Sequence, residues 1–361
     1  MSRRALNRAT LGRQLLLERS PRAAVDVVAH LAGMQAQAPL SPYVGLWTRM
    51  ASFRPDDLAA LVTSRQVVRG TLMRATVHLM TADDFLAVRP LTQPVLVRAF
   101  SGQAFAKSLA GLDLDTVLAA TRALVEEKPR TRGELSKLLA ESWPDHDAES
   151  LGFAATYLEP MVQVPPRGVW GTNGPAAWTT SRSWLGRPLA LEPSVERLVL
   201  RYLGAFGPAT VKDVQQWSGL TRLREVVERL RPQLVELRGE DGAELWDLPD
   251  APRPDPDVPA PPRFLPEYDN LLLSHADRSR VIVDKRRVPL PPGNGGSGGT
   301  VLVDGMWAAT WKIRRQGDEA AVEIDPFVPL TAADEDALGA EATALLAFAA
   351  PDHATHAVRF T

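Results

Sequence analysis

The chain has 361 residues, 45% hydrophobic and 23% charged, with a formal net charge of -2; this is the composition of a folded globular protein long enough for two or three domains. It has no cysteine, which excludes disulfides, thiolate nucleophiles, zinc fingers and cysteine-ligated iron-sulfur clusters. Its 6 histidines are scattered, with no HExxH spacing, so neither a metal nor a cofactor is expected.

Residues 9–19 and 21–34 predict two helices, split at Ser20-Pro21, where serine caps and proline opens the second. In the second, Val27, Val28, Leu31 and Met34 recur at helical intervals, and Pro39 and Pro42 forbid its simple continuation. Gln35-Ala36-Gln37 therefore falls near a helix end, where a bending backbone lets side chains two apart reach toward one pocket. Each amide offers an acceptor and a donor, enough to hold a water by two contacts, and neither ionises. Such a pair aims a nucleophile rather than deprotonating it. That suits hydrolysis with a good leaving group, and the N-glycosidic bond of an N7-alkylated purine fits because the base already carries positive charge. The commoner use of two glutamines in such a place is to satisfy backbone groups of the turn.

A third helix from Ser41 or Pro42 to about Met50 buries Val44, Leu46 and Trp47, and a fourth opens at Pro55-Asp56-Asp57 with carboxylates in its first turn. Residues 66–80 alternate and are β-branched, a strand pair with Gly70 as its bend. On the second strand Arg74, Thr76 and His78 share one face. That face is either a groove wall touching DNA or a set of structural partners. A longer helix covers 83–100.

The order helix, capped helix, helix and hairpin then recurs. It runs through 114–127, the capping box Thr131-Arg-Gly-Glu134, 147–161 and a ribbon over 162–180. It runs again through 194–206, Thr210-Val-Lys-Asp213 onward, 221–230 and a ribbon over 233–248. The expected fold class is α+β: three tandem winged helices over 1–110, 111–190 and 191–248, a Pro-rich linker over 249–262, and a small β-barrel with a C-terminal helix over 263–361. The barrel would use strands at 263–269, 280–284, 300–313, 320–327 and 355–360, with the helix at 332–349. A generic mixed helical protein with hairpins is the alternative.

Charge is unevenly spread. Residues 1–110 hold 14 Lys and Arg against 6 Asp and Glu, and residues 271–315 hold 8 against 3, which points to a side facing a polyanion. Candidate DNA contacts in the second stretch are Arg278, Lys285, Arg286 and Arg287 before the glycine-rich loop 293–299, and Lys312 and Arg314 after it. A solvated loop with charged flanks is the plainer reading. The loop lacks GKS or GKT and is no phosphate-binding P-loop. No apolar run approaches the ~20 residues of a bilayer span, and the Arg-rich start lacks a signal peptide's apolar segment. A cytoplasmic monomer with no membrane partner is expected.

Five stretches together resemble one family: Ala5-Leu-Asn-Arg-Ala-Thr-Leu11, Leu31-Ala-Gly-Met-Gln-Ala-Gln37, Leu72-Met-Arg-Ala-Thr-Val-His-Leu79, Phe264-Leu-Pro-Glu-Tyr-Asp-Asn-Leu-Leu-Leu-Ser-His275 and Val301-Leu-Val-Asp-Gly305. They look like the AlkZ/YcaQ superfamily of winged-helix DNA glycosylases, over nearly the whole chain. The resemblance implies tandem winged helices closed by a β-barrel around a concave DNA channel. It also implies removal of bulky N7-alkylpurines from double-stranded DNA and, in some branches, unhooking of interstrand crosslinks. The family's catalytic signature is Gln-x-Gln in one branch and Gln-x-Asp in another. Gln35 and Gln37 follow the crosslink-associated branch, and the lack of a carboxylate at position 37 favours water positioning over general-base catalysis. The rival reading is a non-catalytic winged-helix DNA-binding protein or transcriptional regulator, separated from an enzyme by whether free modified base is released.

Overall fold

The structure is a computed structural model that describes residues 1–284, 286–288 and 298–361. The Ser2 hydroxyl accepts from the Ala5 N–H and opens α1 (Arg3–Arg13), earlier than the 9–19 expected, and α2 (Ala24–His30) stops short of residue 34. Then follow β1 (Met34–Gln35), α3 (Ser41–Trp47), α4 (Pro55–Thr63), β2 (Val67–Thr71), β3 (Val77–Thr81), α5 (Ala82–Ser101) and α6 (Ala104–Ser108). The next stretch holds α7 (Leu114–Glu127), β4 (Arg130–Thr131), α8 (Arg132–Ser142), α9 (Ala148–Leu158), β5 (Met161–Val164), β6 (Ala177–Thr180) and α10 (Ser181–Leu185). After it come α11 (Val195–Phe206), α12 (Val211–Ser218), α13 (Arg224–Leu230), β7 (Val235–Arg238) and β8 (Glu244–Asp247). The last part is β9 (Arg263–Leu265), β10 (Gly299–Val303), β11 (Met306–Gln316), β12 (Glu319–Pro326), α14 (Ala332–Ala349) and β13 (Thr355–Phe360).

The hairpins do not stand alone. β2 pairs with β5 through Arg69 opposite Gln163 and Gly70 opposite Val162, fusing two ribbons into one six-stranded sheet of order β1-β3-β2-β5-β6-β4. Gly70 is therefore inside a strand, not at a bend. A Cβ there would lie 2.4 Å from Phe85 Cε2 and 2.9 Å from the Met161 carbonyl oxygen, so close approach demands glycine. The chain actually reverses at Arg74 and Ala75, whose φ angles of 54° and 56° are both left-handed. Successive left-handed residues in a hairpin turn are normally Asn-Gly; placing Arg-Ala there costs backbone strain of ~1–3 kcal/mol per residue.

The cores cross the sequence boundaries drawn above. Ala32, Val68, Leu72, Met73, Met80 and Phe85 pack in one cluster with Leu198, Tyr202, Phe206, Trp217 and Trp246. Residues from 1–110 thus share an interior with residues from 191–248.

The C-terminal barrel is corrected: among the described residues it is an open five-stranded sheet of order β13-β12-β11-β10-β9. Closure is unnecessary because other elements cover both faces. Leu338, Ala342, Leu345 and Leu346 of α14 pack on Phe264, Val301, Val322 and Ile324, while Leu11 and Leu16 meet Leu265, Leu302 and Trp307 on the other side. The strand expected at 280–284 is a turn; Val281 and Ile282 owe their apolar character to packing against Leu11 and Leu16, not to a ladder.

Candidate active site

Gln35-Ala36-Gln37 lies on and just past an edge strand. Beyond α2 the chain turns through Ala32 (φ 53°) and Gly33 (φ 95°), and a Cβ on Gly33 would sit 2.8 Å from Met80 Cγ. Met34 then pairs with Leu79 and Gln35 with His78 on β3. The Ala36 N–H donates to the Val77 carbonyl at 2.8 Å, and the Ala36 carbonyl accepts from Arg69 Nη2 at 2.7 Å. The expected helix end is corrected to a strand clasped on both sides.

Gln35 is buried, and its Oε1 accepts from Arg74 Nη2 at 2.8 Å. The same nitrogen donates to Asn270 Oδ1 at 2.8 Å, and Arg74 Nη1 donates to the Trp217 carbonyl at 2.8 Å. Asn270 in turn donates to the Gly33 carbonyl at 3.3 Å. Arg74 is thus a bracket in the strained turn, not a strand-face residue beside Thr76 and His78. Burial pulls its pKa down to about 10, with the Arg278 charge adding to the effect. Asn270 is delivered by Asp269, which caps the Leu271 N–H at 3.0 Å and accepts from Arg49 Nη1 and Nη2 at 2.9 and 2.8 Å.

His78 is fully buried, so the expected DNA contact at this residue is corrected to an interior one. Its Nδ1 faces the Thr76 carbonyl at 3.0 Å, an acceptor only, so Nδ1 carries the proton and Nε2 turns its lone pair toward Arg74 Nη2 at 3.5 Å. Burial, then the Arg74 charge, lowers its pKa to about 3. The folded state therefore holds fewer protons than the unfolded chain between the ordinary value of about 6.5 and about 3. Stability from a neutral His78 is complete above the upper limit and is lost as pH falls through that window. Buried His275, shifted in the same direction chiefly by burial, adds to the trend. Urea unfolding should give a midpoint that falls between pH 7 and pH 4, with His78→Phe flattening the fall. An unchanged slope would show that His78 protonates equally in both states.

Gln37 is half-buried, with Oε1 accepting from the Val77 N–H at 3.2 Å. It lines a cleft of about 540 Å³ with Arg69, Thr71, Gln163, Trp178 and Tyr157. Arg132 and Arg167 complete a cationic rim. Gln35 instead borders a cavity of about 10 Å³ beside Asn270 and Arg49, room for roughly one water. The two amides thus face separate cavities, where one shared pocket was expected; the strand, unlike a bent helix end, keeps them apart.

Of the other expected DNA contacts, Arg278, Arg286 and Arg287 come together with Arg3 in a groove of about 670 Å³. Lys312 and Arg314 lie elsewhere on β11, both held by Glu323 at 3.1 and 3.3 Å. Lys285 falls outside the described residues. Sequence reasoning missed Arg69 and Gln163, and left Asn270 without a role. Only the Asn270-bearing stretch had a signal, as one of the matched segments.

Comparison with known proteins gives a family and a fold. A family model described as DNA glycosylase AlkZ-like matches residues 28–348. An interstrand DNA cross-link repair glycosylase of Streptomyces sahachiroi is 24% identical over 247 residues, spanning 65% of this chain and 64% of that protein, less than two thirds of its length. The solved structure of Streptomyces sahachiroi DNA glycosylase AlkZ superimposes with a TM-score of 0.75 at 20% identity, covering 100% of both chains, a likeness of fold. With a match over most of its length, the chain belongs to the AlkZ-like DNA glycosylase family.

Proposed function

We propose that this protein is a monofunctional DNA glycosylase that hydrolyses the N-glycosidic bond of N7-alkylated purines in duplex DNA, with interstrand crosslinks among its substrates. The observation that carries the reading is Gln37 on the rim of a cleft walled by Arg69, Arg132 and Arg167 and by aromatic rings. The three successive helix-and-hairpin units would be winged helices, and the Arg3, Arg278, Arg286 and Arg287 groove would follow the phosphate backbone.

In this mechanism the Gln37 amide, oriented through its carbonyl by the Val77 N–H, aims the attacking water. Gln35, fixed by Arg74 and facing its own small cavity, anchors the end of the strand from which Gln37 projects and so acts on the water through the position of Gln37. Water oxygen bonds to C1′ as the C1′–N9 bond breaks; the bonding pair passes to the purine and cancels its positive charge. The water's proton goes to solvent, leaving an abasic sugar. The departing cation supplies the leaving-group activation that a general acid otherwise gives, a term of about 10²–10⁴ in rate. No lysine lines the cleft among the described residues, in keeping with a route that forms no Schiff base.

The test is incubation with duplex DNA carrying 7-methylguanine or a bulky N7 adduct, followed by chromatography for free base. Released base with abasic DNA is the expected result. Tight, sequence-dependent duplex binding without release would instead establish a regulator.

A further inference from the structure

The floor of the cleft is one face of the six-stranded sheet, and two of its residues are unusual. Arg69 and Gln163 face each other across the β2–β5 pairing, and each is more than nine-tenths buried, at 3% and 8% exposed. Residues so paired bring their side chains to within contact of one another. Arg69 uses Nη2 on the Ala36 carbonyl, but its Nε and Nη1 have no hydrogen-bond partner among the described residues, and neither does Gln163 Oε1. Unsatisfied buried polar atoms are rare and costly, and they concentrate where a ligand completes them.

These atoms lie beneath the cleft surface, the two nitrogens against Gly168, so a ligand meets them once the side chains turn up into the cleft; what they then offer is a pair of donors beside an acceptor. A backbone phosphodiester would satisfy the arginine but has no donor for a glutamine carbonyl. A group presenting an acceptor next to an N–H satisfies both, which is the edge of a cyclic amide. The walls suit a flat ring: Tyr157 lines the cleft, and the Arg132 guanidinium, held at 4.0 Å on the Phe153 ring whose other face Phe105 covers at 3.8 Å, offers a planar surface of its own. A volume of about 540 Å³ is within the usual range for small-molecule pockets.

We infer that the cleft receives the purine base itself and reads it as guanine, with Arg69 donating to O6 and Gln163 accepting from N1–H. The inference rests on the proposed release of N7-alkylpurines, since alkylation at N7 leaves O6 and N1–H intact. Adenine presents the reverse pattern, an amino donor beside an N1 acceptor, and leaves both protein groups unpaired. The broad terminal torsion of a glutamine lets Gln163 turn its carbonyl up to the ring without moving the strand. The lining also bears on the leaving step. Arg69, Arg132 and Arg167 line the cleft with no carboxylate among its described lining residues, so it is short of negative charge. A cationic base is repelled there and a neutral departing base is not, which favours bond breaking over the intact nucleotide.

The experiment titrates the full chain with 7-methylguanine, 3-methyladenine and inorganic phosphate by calorimetry, alongside release of both bases from methylated duplex DNA. Expected are binding of 7-methylguanine at least tenfold tighter than that of 3-methyladenine and a matching preference in release. Gln163→Leu should cut 7-methylguanine affinity about tenfold, the effect of one lost hydrogen bond, and shrink the preference. Gln163→Glu, which keeps an acceptor, should retain that preference and provides the readout if the leucine variant fails to fold. Phosphate competing with 7-methylguanine on equal terms would overturn the inference in favour of an anion site. So would a preference unmoved by Gln163→Leu, and normal release with that result would leave the glycosylase reading standing. Binding of 7-methylguanine without any release would do the opposite, keeping the pocket and ending the glycosylase reading.

Discussion

Gln37→Ala should lower the single-turnover release of 7-methylguanine by about 10²-fold, the scale on which misplacing a reactant by an ångström acts. The water has no ionisable group near it on this strand to replace the lost aim, because Gln35 turns to Arg74 and His78 is neutral and enclosed. Duplex affinity, measured by fluorescence anisotropy, should hardly change, since the groove of Arg3, Arg278, Arg286 and Arg287 is separate from the cleft. Gln35→Ala should also reduce release, through a loosened Arg74 bracket that lets Gln37 shift. If the Gln35→Ala, Gln37→Ala double variant releases base at the rate of the parent, the assignment of these residues is wrong.

Asp269→Ala should destabilise the fold by about 3–5 kcal/mol, the usual cost of stranding one partner of a buried ion pair. Arg49 is 1% exposed, and its two bonds to Asp269 would have no substitute. The Leu271 N–H would lose its cap in the same stroke. Because Asn270 follows Asp269 directly and meets Arg74, base release should fall even at temperatures where the variant stays folded. Pairing Arg49→Met with Asp269→Leu should recover much of the stability but not the release, as apolar replacements of buried ion pairs often fold well. Urea unfolding of the single and the double variant settles the first point. A single variant that unfolds with the parent's midpoint would mean that Arg49 finds another acceptor.

How much of this was legible follows from the range of the interactions. Local rules were enough for the capping boxes at Thr131 with Glu134 and Thr210 with Asp213, and for α14, where side chain and backbone partner lie three residues apart. They were also enough to place the glutamines before Pro39 and beside a strand pair. They failed at α2, where the apolar spacing ran on through Met34 although Ala32 and Gly33 break the helix by left-handed geometry. Arg74 looked like a strand residue because nothing in Met-Arg-Ala-Thr signals a left-handed turn. What holds it there is Asn270, 196 residues away, and no periodicity reports such a contact. Arg69 was likewise read only as an alternating strand position, since its meaning depends on Gln163 arriving opposite it. The barrel was expected from strand spacing and from the family resemblance, and strand spacing says nothing about α1 and α14 coming to cover the sheet.

On the proposed reading of the cleft, the seam between β2 and β5 sets how a bulky adduct is accommodated. Gln37, Arg69 and Thr71 stand on one side of it, Gln163, Thr156 and Tyr157 on the other, and main-chain bonds at Gly70 lock the halves together. These jaws have no hinge: widening them would mean tearing the ladder. An oversized lesion is therefore admitted or refused by side-chain rearrangement against a stiff frame, so lesion size should be filtered by the shapes of the lining residues and not by how far the enzyme opens.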